Sequence, residues 1–168
     1  PRLMSFMQAH DDVQLRIQPM IQFSIQETQG VDLAIRWGNG DWNEGDVTRF
    51  MPLPPYPVGN AEAKRQVEKL GIERAFPQFT LLRDRDDSNA WSQWLTAANF
   101  QTQTRRDVLI VPDPNVRVQA VIDGQGIALM DDLVKDELER GKLFQLAPDT
   151  LTEYGYFIVQ PQATVATE

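Results

Sequence analysis

The sequence predicts an α/β fold built on a parallel, doubly wound sheet. Three observations carry that reading. From Asn60 onward, apolar strand-like runs alternate with amphipathic helical runs, the grammar of strand–helix–strand units. DVLIV at 107–111 is apolar throughout, as in a strand buried on both faces. Pro52, Pro54, Pro55 and Pro57 hold the chain extended, which reads as a stiff connector between two lobes.

The elements come in this order. Pro1 suits a helix first turn, and Leu3, Phe6, Met7 and His10 recur at helical spacing. Val13, Leu15 and Ile17 alternate, which predicts an amphipathic strand over 13–21. FSIQETQ reads as a short helix stopped by Gly30, and VDLAIRW as the next strand. Asn60 caps a helix with Ala63, Val67 and Leu70 inward and Gly71 at its end. FTLLR (79–83) is a strand. Asp87 or Ser88 caps the helix NAWSQWLTAANF, whose Trp91, Trp94, Leu95 and Ala98 share a face. After DVLIV, Asp113 and Pro114 form an N-cap and a first-turn proline. Val118, Val121 and Ile122 point inward, and Gly124 stops that helix. IALM (127–130) is a strand. Asp131 or Asp132 caps DLVKDELER, which Gly141 ends. KLFQL and YGYFIVQP are the last strands. The chain opens inside a helix and closes soon after a strand, so both ends read as cuts in a longer polypeptide.

Composition narrows the function. Sixteen basic against 24 acidic residues give a formal charge of −8, which repels nucleic-acid phosphates and anionic membranes. No apolar run is long enough to cross a bilayer. The chain has no cysteine and one histidine, His10, so thiolate chemistry and a histidine metal cluster are excluded. This usage fits a reducing, cytoplasmic setting. No catalytic set emerges: one helix-surface histidine makes no Ser-His-Asp group, and the acids are spread over capping positions. Neither a metal site nor a cofactor is expected.

VDLAIRWGNGDW (31–42) resembles the "vDlaIRyGdGdW" signature of LysR-type transcriptional regulators, in the effector-binding domain of the glycine-cleavage-activator subgroup. PRLMSF resembles the start of that domain's first helix, and LLRDRDDSNAWSQWL its "LL…W..Wl" segment. VQAVIDGQGIALMDDLVKDELERGKLFQL resembles its GQG-containing block, followed by the tyrosine-containing strand at YGYFIV. VGNAE (58–62) departs from the family's usual "VcsP". The resemblance implies two Rossmann-like lobes joined by two crossover strands, as in type 2 periplasmic binding proteins. Lobe I would be 1–54 plus 153–168, incomplete at both ends, and lobe II 55–152. The family's N-terminal winged helix-turn-helix is absent from this chain.

The candidate site residues divide into cleft and interface. GNGDWN lacks the third glycine of a dinucleotide loop, and no helix follows at once. The glycines instead permit a turn beside the cleft, so Arg36, Trp37, Gly38 and Asn39 are either ligand-proximal or purely structural. Arg83 and Asp84, at a strand end, either clasp a carboxylate or open a helix. Asn115 either donates to an effector or completes a capped turn. Met130 ends a strand at the same edge. The family dimerises antiparallel. Carried here, Leu3, Met4, Met7 and Leu15 of one subunit would meet Trp91, Leu95 and Leu109 of the other. Trp91 and Leu95 also suit plain lobe packing.

The resemblance therefore implies a regulatory domain, not an enzyme. It would sense a small molecule, an amino acid or small carboxylate, in the inter-lobe cleft. It would form a homodimer or a tetramer of dimers, and reach DNA only through the missing domain. Two rivals share the architecture. A transport solute-binding protein requires an upstream secretory signal and a monomer. A prephenate dehydratase-like enzyme requires a polar catalytic cluster in the cleft.

Overall fold

The computed structural model describes residues 2–18, 31–43, 45–100 and 108–160. Its helices are α1 (Arg2–Ala9), α2 (Ala61–Leu70), α3 (Ile72–Ala75), α4 (Ala90–Ala97), α5 (Pro114–Ile122) and α6 (Lys135–Glu139). Its strands are β1 (Ala34–Gly38), β2 (Asp46–Met51), β3 (Tyr56–Gly59), β4 (Leu81–Arg83), β5 (Val108–Ile110), β6 (Ile127–Met130), β7 (Phe144–Gln145) and β8 (Gly155–Gln160).

The strands form two sheets, one in each lobe. In the first, β8 lies between β1 and β2 and runs antiparallel to both. In the second, the order is β5-β4-β6-β3-β7. There β4 is parallel to β5 and β6, while β3 is antiparallel to β6 and β7. The parallel, doubly wound reading thus describes the second lobe. The first lobe's sheet is antiparallel because β8, the last of the described strands, fills its centre.

Side-chain alternation builds two core layers on the second sheet. Leu81, Ile127 and Leu129 face one layer, with Ala63, Phe76, Trp91 and Trp94. Leu82, Ala128, Met130, Tyr56 and Val58 face the other, with Val121 and Val134. Successive strand residues point to opposite faces, so each strand serves both layers. Caps fix the helix starts: Asn60 accepts from Glu62 and Ala63 N–H, and Asp113 from Asn115 and Val116 N–H. The aromatic layer is dense. Trp94 is fully buried, 5.8 Å from the Phe76 ring and 5.4 Å from Phe100. Both indole N–H groups find carbonyls, Trp91 at Leu82 and Trp94 at Asp149.

Several expectations are corrected. Residues 13–18 carry no strand despite their alternation, and all are exposed, because among the described residues no strand pairs with them. The rest of that expected strand and the helix FSIQETQ lie outside the described residues. DVLIV supplies an edge strand, β5, with Leu109 and Ile110 partly exposed, so only one of its edges is covered. Neither Asp87 nor Ser88 caps α4. Asn89 holds the cap position without a cap bond, its Oδ1 accepting instead from the Tyr154 hydroxyl at 3.2 Å.

The GQG motif is structural. At Gly124, φ is +77°, and the Gly124 and Gln125 N–H groups bond back to Val121 and Ala120, closing α5. Gly126 passes so close to β4 that a Cβ there would lie 2.2 Å from the Thr80 oxygen. Gly126→Ala should therefore lower the unfolding free energy in urea titration by about 1–3 kcal/mol or more. An unchanged midpoint would contradict this packing.

Candidate functional site: the carboxyl edge of the second sheet

Parallel strands deliver the residues at their carboxyl ends to one edge, and that edge is where such folds bind ligands. Asp84 follows β4, Val111 to Asp113 follow β5, and Asp131 follows β6. Because β3 is antiparallel, its first residue Tyr56 pairs with Met130 at the same edge. Both inter-lobe connections also meet here: Leu151 N–H bonds Pro55 O, and Leu146 N–H bonds Pro57 O.

The two lobes touch across this edge. Tyr156, on β8 of the first lobe, brings its hydroxyl to the Asp131 carboxylate. Asp131 also accepts from Leu133 N–H at 2.9 Å. Tyr56 makes a similar bond to Asp132 at 2.9 Å. Burial pushes the Asp131 carboxyl above its ordinary range, and its two donors oppose that shift. Burial, with Asp131 as neighbour, holds the Tyr156 hydroxyl far above its ordinary range, so it stays a proton donor. Trp37 packs on Tyr154, ring centroids 5.1 Å apart, and Tyr154 in turn sits in the core of the second sheet, so the pair ties β1 to that core.

Arg117 stands beside this pair, in the first turns of α5. Its Nη1 donates to the carbonyls of Val111 and Pro112. Burial lowers its pKa, and the neighbouring Asp84, Tyr156 and Asp113 oppose that. Asp84, Asp131, Tyr156 and Arg117 thus form one polar cluster between the lobes.

The residues expected at the site take several different places. Arg36 lies over the Trp42 ring, 4.3 Å from its centroid. Gly38 and Gly40 face rings of the chain itself: a Cβ on either would lie 2.6 Å from Trp42 or Phe157 respectively. The glycines of the opening signature therefore make room for aromatic packing. Asn39 is exposed and accepts from Asp41 N–H. Arg83 donates to Ser88 O, and its Nε is buried without a partner. Asp84 joins the cluster, while Asn115 is exposed and contributes its N–H to the Asp113 cap. Met130 is buried in the second core layer. Trp91 and Leu95 are buried inside their own lobe, whereas Leu3, Met4, Met7, Leu15 and Leu109 are exposed. Sequence reasoning does not single out Arg117, Asp131, Tyr154 or Tyr156 as site residues. The tyrosine-bearing strand YGYFIV holds the signal for the last two.

Known proteins resemble this chain in both sequence and fold. A family model described as "LysR substrate binding domain" matches residues 1–168. The chain is 28% identical over 169 residues to the HTH-type transcriptional activator AmpR of Rhodobacter capsulatus, covering 99% of this chain and 56% of that protein. It is 28% identical over 160 residues to the glycine cleavage system transcriptional activator of Escherichia coli K12, covering 94% and 52%. It therefore spans about half the length of these relatives. The effector domain of AmpR from Pseudomonas aeruginosa superposes with a TM-score of 0.77 at 23% identity, over 100% of this chain and 80% of that one. The AmpR effector-binding domain from Citrobacter freundii gives 0.79 at 18%, over 98% and 82%.

The raised Asp131 pKa has a measurable sign. Between the ordinary aspartate value of about 3.9 and the raised value of the folded state, the folded chain holds a proton that the unfolded chain has lost. Stability from this group is present below that window and is lost as pH rises through it. Asp131→Asn keeps acceptors for Leu133 N–H and Tyr156 but removes the titration. The wild-type stability relative to D131N should decline across that window in pH-dependent thermal unfolding. A flat difference would rule out a desolvated carboxylate.

Proposed function

Because the chain belongs to the LysR substrate binding domain family over its whole length, we propose that it is the effector sensor of a DNA-binding transcription regulator. The observation that carries this reading is the polar cluster of Tyr156, Asp131, Arg117 and Asp84 at the carboxyl edge. A small molecule seated there touches both lobes, so its contacts differ between open and closed states. Only that difference lets a ligand shift the equilibrium. Relatives named as transcriptional activators support a regulator rather than an enzyme. With a charge of −8, this domain relies on a helix-turn-helix elsewhere on the polypeptide for DNA contact. Among the described residues no helix is long and apolar enough to cross a membrane, and we place the regulator in the cytoplasm.

The lobe boundaries we adopt are 1–54 with 153–168, and 55–152. Trp37 and Asp84 line the effector site from the two sides. Dimerisation would use the exposed apolar face of α1, where Met4 is 60% exposed, against Leu109 of a second copy.

Two measurements test this. A thermal-shift screen of amino acids, organic acids, sugars and nucleosides should yield a saturable rise in melting temperature. A ligand at a hundred times its Kd adds about 2.7 kcal/mol. Tyr156→Phe should weaken that response, and equal responses in both proteins would move the site away from the cleft. In sedimentation equilibrium, the chain should dimerise and Met4→Asp should shift it to monomer. A dimer indifferent to that charge would exclude α1 from the interface.

A further inference from the structure

The chemical class of the effector is legible at Arg117, granted that the cleft is the effector site. This guanidinium is mostly withdrawn from water, yet no carboxylate oxygen among the described residues lies within ion-pair distance of it. A cation so placed is costly unless something pairs with it. Two backbone carbonyls, Val111 and Pro112, hold its Nη1 and fix the plane of the fork. Among the described residues, its other nitrogens donate to no protein group. They are not sealed off either, unlike Arg83 Nε. The free part of the fork therefore meets solvent at the carboxyl edge. The helix start beside it offers no rival anion site, because the Asp113 carboxylate already takes the Asn115 and Val116 N–H groups.

The surroundings set the charge of what binds. Asp84 and Asp113 act electrostatically on Arg117, and Asp131 acts on the same Tyr156 hydroxyl that Arg117 does. None of these acids neutralises the guanidinium by contact; Asp84 itself pairs with Arg85 at 3.3 Å, while Asp113, Asp131 and the adjacent Asp132 leave the neighbourhood acidic. A single carboxylate gains a two-bonded fork. A second negative charge on the ligand would face these acids across a poorly screening cleft. We propose that the effector is a small monocarboxylate whose carboxylate docks on the open fork of Arg117, and that phosphate and dicarboxylates are excluded.

The test is an NMR titration of the chain with acetate, glycine, glycinamide, succinate and inorganic phosphate at matched ionic strength. Acetate and glycine should shift the Arg117 Nε–H and the amides of Asp84 and Tyr156 saturably. Succinate and phosphate should do so less. Arg117→Met should weaken acetate and glycine at least tenfold. Arg117→Lys, which keeps one donor for the carbonyls and the charge, should retain part of the response. Unchanged spectra elsewhere certify both folds. Stronger binding of phosphate or succinate overturns the proposal, as does carboxylate binding indifferent to Arg117→Met. If glycinamide alone moves the cleft amides, and equally in Arg117→Met, the effector site stands and the carboxylate assignment falls. If no probe moves any cleft resonance, both fall.

Discussion

One strand direction organises the molecule. Strand β3 runs against β6 and β7 in an otherwise parallel sheet. Reversing it there makes the chain enter the second lobe at the edge where β4, β5 and β6 end. Because β7 runs antiparallel to β3, the chain also leaves by that edge. The connections, the contact between lobes and the polar cluster thus occupy one side of one sheet. A β3 lying parallel to β6 would bring the chain in at the opposite edge and separate the binding groups from the hinge.

The packing ties that edge to the core behind it. Trp94 anchors the returning connection through Asp149 O, and Tyr154 reaches Asn89 at the start of α4. Across the boundary, Arg49 of β2 donates to the carbonyls of Thr152 and Tyr154, at 2.7 and 3.1 Å. Gly155 lies so near Met51 that a Cβ would sit 2.5 Å from its carbonyl oxygen. The returning connection is therefore gripped at both ends, by the aromatic layer and by Arg49. Motion between the lobes is left to the few residues in between, where backbone dihedrals absorb it.

The sequence disclosed most of the second lobe, because caps and stops act locally. Asn60, Asp113, Gly71 and Gly124 mark helix ends by chemistry that needs no distant partner. It disclosed less where partners decide. Val13 to Ile17 alternate like a strand, but alternation does not supply a neighbour to pair with. Leu109 and Ile110 look central by composition, yet sheet order leaves them at an edge. The site divides the same way. Asp84 was legible from its place after a strand. Arg117 was not, since on a helical wheel it is one more charged residue on α5, and only the fold brings it beside Tyr156 from the far end of the chain. The glycine-rich signature has a packing reason of its own: its missing side chains make room for Trp42 and Phe157.

The order of strands in the first lobe also bears on how the protein is made. Strands β1 and β2 pair with β8 and not with each other. On the ribosome they emerge roughly a hundred residues before their common partner. The second lobe, contiguous in sequence, is complete by then. The first sheet must wait for β8, so until that strand emerges Ile35 and Phe50 lie on strands without their partner. Closing that sheet is a late, long-range event, and only with it do the two lobes first acquire a relationship to transmit.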